Sequence, residues 1–506
     1  MKTGESKTNA TNEPLRMKEI GYVSPRTGVR WIPVIGLEVH CQLKTRTKLF
    51  CGCEYHFGAS PNSITCPKCT GQPGALPVLN REALALAVRA ALALDCRVAE
   101  QSKFDRKNYF YCDLPKGYQI SQYDRPYCTG GGIQLASGKF VRLTRIHMEE
   151  DAGKAIHDRG DMTLVDLNRA GVPLIESVTE ADIQTAEEAH DYLTSLKEIL
   201  QYVGASDCDM EKGSLRCDVN ISVHPVGEPW RTKVEIKNLN SFRFVAAAIE
   251  YEIARQVEAY ESGDPAQHPV QETRLYDPQK GVTRTMRSKE SAHDYRYFAE
   301  PDLPPVHVDA AWLARERSTI PELPASRRAR YVADMGLSVK DAGVLTSERV
   351  VADFFEAAAR ISGKPKECSN WIQNELLRMV GDPEVGATRF EEIALRPHDL
   401  ASLVELVDKG TLQTNGARTV LREMVKTGKN ARTLVTELGL EQVQDTAAIE
   451  RWCREALVGK EKIVEDVRAG KPNALNALLG PVMKASGGKA NAQLVRETFL
   501  RILGVS

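Results

Sequence analysis

The chain has almost no excess charge of either sign: 67 Lys and Arg against 68 Asp and Glu leave a net charge of −1 over 506 residues. A generally basic nucleic-acid binder is thereby excluded, and any RNA contact has to come from local patches. Long apolar runs are also missing. The best, 83–94, falls short of the about 18–20 residues that span a bilayer and is interrupted by Arg89, so no contact with a membrane is expected. The first thirty residues lack an apolar core and carry Glu5, Glu13 and Glu19. They read as a flexible polar extension and not as a signal or transit peptide, which makes the cytoplasm the expected location. No GxxxxGK[ST] loop occurs, since the nearest string, GGKA at 487–490, ends in Ala. HExxH and GxSxG are absent as well. If such a chain uses ATP, it has to do so on a sheet face, with Mg²⁺ and carboxylates.

A content of 42% hydrophobic and 27% charged residues is enough to bury a sizeable core, and the length suggests about three domains. Residues 31–318 hold short strand-like runs, such as VIGLEV at 34–39, VNISV at 219–223 and KVEIK at 233–237, divided by Gly, Pro and Asn turns. Apolar residues at helical spacing predict helices over 81–96, 185–203 and 242–260. The predicted fold is α+β: a large antiparallel-sheet cradle domain with a zinc loop, then an all-α domain over 319–435 and a small all-α tail over 436–506. Helices are expected at 327–335, 348–361 and 370–380. Residues 1–30 are set apart as the N-terminal extension.

Twelve cysteines in a large chain without export signals should be reduced. Four of them, Cys51, Cys53, Cys66 and Cys69, crowd into nineteen residues. Four thiolates in two close pairs suit tetrahedral zinc. Such a site is coordinatively closed, so its role should be structural, and a zinc hydrolase is excluded because no position is open for water. The acids are more suggestive of chemistry. Glu38 and His40 lie two apart on a strand and therefore share a face. Glu149, Glu150 and Asp151 follow one another, which is costly unless a cation compensates. Asp166, Glu176, Asp218 and Glu235 lie in runs rich in β-branched residues and are expected to converge on one sheet face. Hard oxygen ligands of this kind suit Mg²⁺, which usually travels with a phosphate. Bases alternate with aromatics in KFDRKNYFY at 103–111 and in DYRYF at 294–298, a mixture able to stack on bases and hold phosphates. Arg274, Arg284 and Arg287 add positive charge.

Several longer strings carry a family resemblance: IGLEVH at 35–40, KNYFYCDLPKGYQISQ at 107–122, HMEEDAGK at 147–154, NRAGVPLIE at 168–176, GSLRCDVNIS at 213–222, EIKNLNS at 235–241 and DYRYF at 294–298. With these, the chain from Trp31 onward resembles the B-subunit family of bacterial tRNA-dependent amidotransferases. The resemblance implies a ligase that amidates Glu-tRNA(Gln), Asp-tRNA(Asn) or both, with ATP activating the side-chain carboxylate. Ammonia would come from an amidase-like A subunit, in a heterotrimer clamped by a small C subunit. The misacylating synthetase is a further implied partner.

The family's metal and catalytic positions carry over onto Glu38, His40, Glu150 and Asp218, with Glu149 and Glu176 beside them. Lys107, Arg106, Lys154 and Arg216 are the candidates for holding the nucleotide. Cys51, Cys53, Cys66 and Cys69 match the zinc cysteines of a subgroup. The helical domains match tRNA-binding appendages, and NALLGPVMKASGGKA at 476–490 looks like the segment that meets the tRNA elbow. The implied cofactors are ATP, Mg²⁺ and structural Zn²⁺. The alternative is a non-catalytic tRNA-binding adaptor with a structural zinc, whose acids are merely solvated surface.

Overall fold

The computed structural model describes residues 21–157, 160–288, 295–442, 445–468, 475–487 and 489–505. The N-terminal extension as far as residue 20, Asp294 of the DYRYF string, and Gly488 in the elbow-like segment lie outside the described residues. The chain divides into two compact units, 1–323 and 324–506.

The first unit is built on an eleven-stranded sheet. Its strands are rich in β-branched residues that alternate with polar ones, the pattern of a sheet covered on one face only. The central strand β1 is Arg30–Gln42. The hairpin β2 (Asp105–Asn108) and β3 (Tyr118–Ser121) pairs separately with the short strand Phe298–Ala299. Along the large sheet follow β4 (Phe140–Glu150), β5 (Pro173–Thr179), β6 (Leu215–Pro225), β7 (Val234–Leu239), β8 (Glu272–Asp277) and β9 (Val282–Ser288). Their spatial order is β9-β8-β7-β6-β1-β5-β4, continued by the short strands Cys128–Thr129 and Arg97–Val98. Neighbours are antiparallel, as expected, except β7 and β8, which run parallel because a helix connects them.

Three helices cover one face: α1 (Arg81–Ala93), α2 (Ala186–Tyr202) and α3 (Phe242–Glu261). Each starts at a residue whose side-chain oxygen accepts first-turn N–H groups: Asn80, Thr185 and Ser241. Ile35, Leu37, Val39 and Cys41 of β1 meet Leu84 and Val88 of α1, Leu193, Leu196 and Leu200 of α2, and Val245 and Ile249 of α3 in one core. Each such side chain taken out of water is worth roughly 1.5–3 kcal/mol. The alternate residues of the same strands point to the other face.

The second unit is helical, and no strand is assigned among its described residues. Pro324–Met335, Arg349–Ser362, Pro397–Asp408, Thr414–Thr427 and Ala431–Glu437 surround a core that includes Tyr331, Phe355, Leu400, Leu421 and Leu434. The helix expected over 370–380 is present as far as Met379, but it begins earlier, at Pro365, and has wider turns over Ile372–Leu376. A separate small core of Ile449, Leu478, Val495 and Phe499 joins Thr446–Leu457, Asn476–Ala485 and Ala492–Leu503.

Candidate active site

Strand register decides which side chains meet on the open face. Glu176 of β5 lies between His147 of β4 and His40 of β1, and His40 in turn faces Arg216 of β6. One pleat along, Glu38 faces Asp218. These rows put imidazoles, carboxylates and a guanidinium side by side. His40 Nε2 is 3.2 Å from Glu176 Oε2 and 3.6 Å from Glu149 Oε1. His147 Nε2 is 3.3 Å from the same Glu176 oxygen and 3.6 Å from Glu149 Oε2. Asn220 donates to Glu38 Oε1 (2.9 Å), and Ser121 donates to Glu149 Oε2 (3.2 Å). Lys237 is ion-paired to Asp218 and, at 2.9 Å, to Glu235.

The protonation states follow. Burial works against the charged form of His147, but the contacts with Glu149 and Glu176 outweigh it and raise the imidazole to about 9. His40 is raised for the same reason, with Glu176 its main partner. Burial disfavours the Glu176 carboxylate, yet the two imidazoles hold it well below its usual range. Lys237 is likewise disfavoured by burial and raised by Asp218 and Glu235. The face therefore holds charges of both signs, in which His40, His147, Glu149 and Glu176 compensate one another, as do Lys237, Asp218 and Glu235.

A cavity of about 620 Å³ opens on this face, lined by Glu38, His40, His147, Glu176, Asp218 and Lys237, with Lys107, Tyr109, Tyr123, Tyr295 and Tyr297 along its side. Lys107 Nζ lies 4.9 Å from the centre of the Tyr295 ring, and Tyr123 stacks on Tyr297 at 4.1 Å. A second cavity of about 320 Å³ shares His40, Lys107, Tyr109, Lys237 and Tyr295, and adds Glu149, Asp151 and Arg216. Arg216 pairs with Asp151 at 2.9 Å.

Of the residues singled out in the sequence, Glu38, His40, Glu149, Asp151, Glu176, Asp218, Glu235, Lys107 and Arg216 thus line adjoining cavities. Several others do not. Glu150 follows Glu149 on β4 and so points to the opposite side, where it pairs with Lys116 and accepts from the Ile120 N–H (3.0 Å). Arg106 alternates with Lys107 in the same way and forms a two-pronged pair with Glu300 at 2.8 and 2.7 Å. Lys154 lies on a separate small hairpin and is exposed. Asp166, expected on the common acidic face, belongs to that hairpin's other strand, where it accepts from the backbone of Asn62 and Asn168. Arg274 is taken up by Glu252 and Glu272. Two participants had no assigned role, His147 and Lys237. The signal was there: each is two residues from an acid on a strand, His147 from Glu149 and Lys237 from Glu235, the spacing that picked out Glu38 and His40.

Among the described residues, two groups of side chains have the arrangement of metal ligands. One ligand atom from each of His40, Glu149 and Glu176 falls within 4.8 Å of the others, and so do the sulfurs of Cys51, Cys53, Cys66 and Cys69. Four sulfurs about 2.3 Å from a shared centre stand about 3.8 Å apart, and Cys66 and Cys69 Sγ are 3.7 Å apart. Cys69 is held as a thiolate, lowered to about 4 by its hydrogen bond with Cys51, by the Cys66 N–H and by the nearby Lys48 ammonium. The four cysteines fit zinc by number, element and spacing.

A twisted sheet with one face on helices and the other carrying compensated carboxylates, imidazoles and ammonium groups defines a catalytic cradle domain, here followed by a helical unit. The chain belongs to the family of aspartyl/glutamyl-tRNA(Asn/Gln) amidotransferase B subunits: the GatB/GatE catalytic domain matches residues 33–314, and the GatB domain matches residues 353–503. It is 50% identical over 473 residues to the B subunit of Carboxydothermus hydrogenoformans, covering 92% of this chain and 97% of that protein. It is 48% identical to that of Thermodesulfovibrio yellowstonii (93% of this chain, 98% of that protein) and 49% identical to that of Myxococcus xanthus (93% and 98%). No helix among the described residues is long and apolar enough to cross a membrane.

Proposed function

We propose that the chain carries out the ATP-dependent half of tRNA amidation. It phosphorylates the side-chain carboxylate of Glu-tRNA(Gln), Asp-tRNA(Asn) or both, and lets ammonia displace the phosphate. The observation that carries this reading is the shared face of Glu38, His40, Glu149, Glu176 and Asp218, bordered by Lys107 and the tyrosines. A free carboxylate is a poor electrophile because its leaving group would be oxide. Transfer of the γ-phosphoryl forms an O–P bond to the carboxylate and breaks the bond to ADP. Ammonia then forms the C–N bond, the C–O bond to phosphate breaks, and the proton that the nitrogen loses ends on the departing phosphate.

The residues divide this work. Glu38, Asp218, His40, Glu149 and Glu176 are the oxygen and nitrogen donors that would hold Mg²⁺, which when bound neutralises charge on the transferring phosphoryl group. Lys107 and Lys237 supply positive charge where two anions, the nucleotide and the substrate carboxylate, must approach each other. Tyr109, Tyr295 and Tyr297 offer ring faces on which a base can stack. Ammonia must arrive unprotonated, so it is delivered by a glutaminase partner subunit and not drawn from water. We place the work in the cytoplasm, in a heterotrimer with an amidase-like A subunit and a small C subunit, with zinc on the four cysteines as a structural element. The helical unit is assigned to tRNA.

Asp218→Asn tests the reading. In the reconstituted complex it is expected to lower ATP-dependent acyl phosphate formation by 10³-fold or so, while tRNA affinity changes less than about twofold. Normal turnover in that variant would establish the non-catalytic adaptor instead.

A further inference from the structure

Asp218 stands opposite an irregularity in its neighbouring strand. Val219 of β6 faces Ile236 of β7, but Cys217 faces Leu239, so Asp218 meets two residues, Lys237 and Asn238. Asn238 takes a left-handed conformation (φ 67°) and its side-chain amide donates to the Tyr276 carbonyl at 3.0 Å. Such a bulge bends the strand and re-aims the adjoining side chain, at the cost of a ladder hydrogen bond and a conformation uncommon for a non-glycine residue. Here the side chain beside the bulge is that of Lys237. Its ammonium rests on the Asp218 carboxylate and on Glu235 Oε1, and Thr273 donates to the other Glu235 oxygen at 2.8 Å. Lys237 also lines both cavities, with His40 and Lys107. It is therefore a cation placed on a carboxylate that the function proposed above gives to a metal ion, at the junction of the two spaces where the anionic reactants would meet.

We propose that Lys237 is a displaceable counter-ion of the nucleotide site. It holds Asp218 until a divalent ion takes that carboxylate, and its ammonium, still tethered by Glu235, is then released to the phosphates at the junction. Metal and lysine compete for one oxygen, while lysine and nucleotide cooperate. The inference rests on the reading above that Asp218 is a metal ligand. It makes a prediction of unusual sign: removal of the lysine strengthens metal binding and weakens the use of ATP.

The test is Mn²⁺ titration of the full chain without nucleotide, followed by the free-ion electron paramagnetic resonance signal, on wild type, Lys237→Met, Lys237→Gln, Lys233→Met and Asp218→Asn. Lys233 lines the same larger cavity and controls for the loss of one positive charge in general. Loss of a competing ion pair should tighten Mn²⁺ binding about 5- to 10-fold in both Lys237 variants, and less than about twofold in Lys233→Met. In the reconstituted complex the same Lys237 variants should raise the KM for ATP at least tenfold, with partial rescue by Lys237→Arg. Unchanged or weaker Mn²⁺ binding in the Lys237 variants, or an equal gain in Lys233→Met, overturns the counter-ion role. Equal Mn²⁺ affinity in wild type and Asp218→Asn overturns the metal reading itself, and the inference with it.

Discussion

Glu356 shows what a single compensated carboxylate does for the helical unit. It accepts from Arg327 Nε at 2.7 Å, from Arg330 and from the Tyr331 hydroxyl at 3.0 Å, and Arg327 is nearly buried. Burial opposes its charge, but the two guanidinium groups more than offset that and hold the carboxyl at about 2, down from 4.5. Because the folded value is the depressed one, the stabilisation is complete above about pH 4.5 and is lost as the pH falls toward 2. Glu356→Gln should cost about 1–3 kcal/mol near neutral pH, since Arg327 is left buried with its pairing weakened. The gap between variant and wild type should narrow near pH 3. Urea unfolding of the full chain at the two pH values measures it, and a gap independent of pH would show that the carboxylate charge is not what matters. The open face of the sheet obeys the same rule on a larger scale: His40, His147, Glu149 and Glu176 pack together because each cancels another.

At the scale of elements, alternation along strands was the most informative signal in the sequence. It placed Glu38 with His40, and it also required Glu149 and Glu150 to part company, because neighbours on a strand face opposite ways. Helices α1, α2 and α3 were legible within three residues at either end, since apolar spacing and a capping Asn, Thr or Ser coincide there. Strand order was not legible. That Asp218 meets Glu38, or that Asp166 leaves the sheet, depends on pairings between distant segments, which local pattern does not encode. The bulge at Lys237 was hidden too, because Asn238 tolerates a left-handed backbone without fixing where a bulge falls.

The four-cysteine loop is the element read most directly, from spacing alone, and its packing explains what it does. Gly71, in a left-handed conformation (φ 72°), lies so close to Lys116 that an added Cβ would sit 2.9 Å from its backbone nitrogen. Lys48, fully buried, donates to the carbonyls of Ile64 (3.0 Å) and Leu167 (3.4 Å). The loop thus braces the β2–β3 connection from outside the cavities. Replacing Cys66 and Cys69 with Ser should remove the zinc, measured as metal per chain, and lower the melting temperature by about 5 °C or more. The kcat of the enzyme that remains folded should stay within about twofold. Lost activity at an unchanged melting temperature would contradict a structural role.

For the whole molecule, the near-neutral charge conceals a local imbalance. Residues 443–506 contain ten Lys and Arg against seven Asp and Glu, so the rest of the chain is net acidic. An RNA-facing surface on a neutral protein has to be local in this way, and phosphate contacts supply most sequence-independent affinity. The core of this segment is its own, built on Ile449, Leu478, Val495 and Phe499. The larger helical core reaches as far as Leu434 and Val435, with Leu440 packed against it, so a cut near residue 435 would damage it. Truncation after Gln442 leaves those residues in place and removes the basic segment. In the reconstituted complex this should raise the KM for tRNA about tenfold or more and flatten its dependence on salt, because fewer counterions are released on binding. Hydrolysis of glutamine without tRNA should be spared, since that chemistry belongs to the partner subunit. A KM for tRNA and a salt slope both equal to those of the full chain would mean that the tail does not bind tRNA, and would shift the RNA contacts to the cradle and the larger helical core.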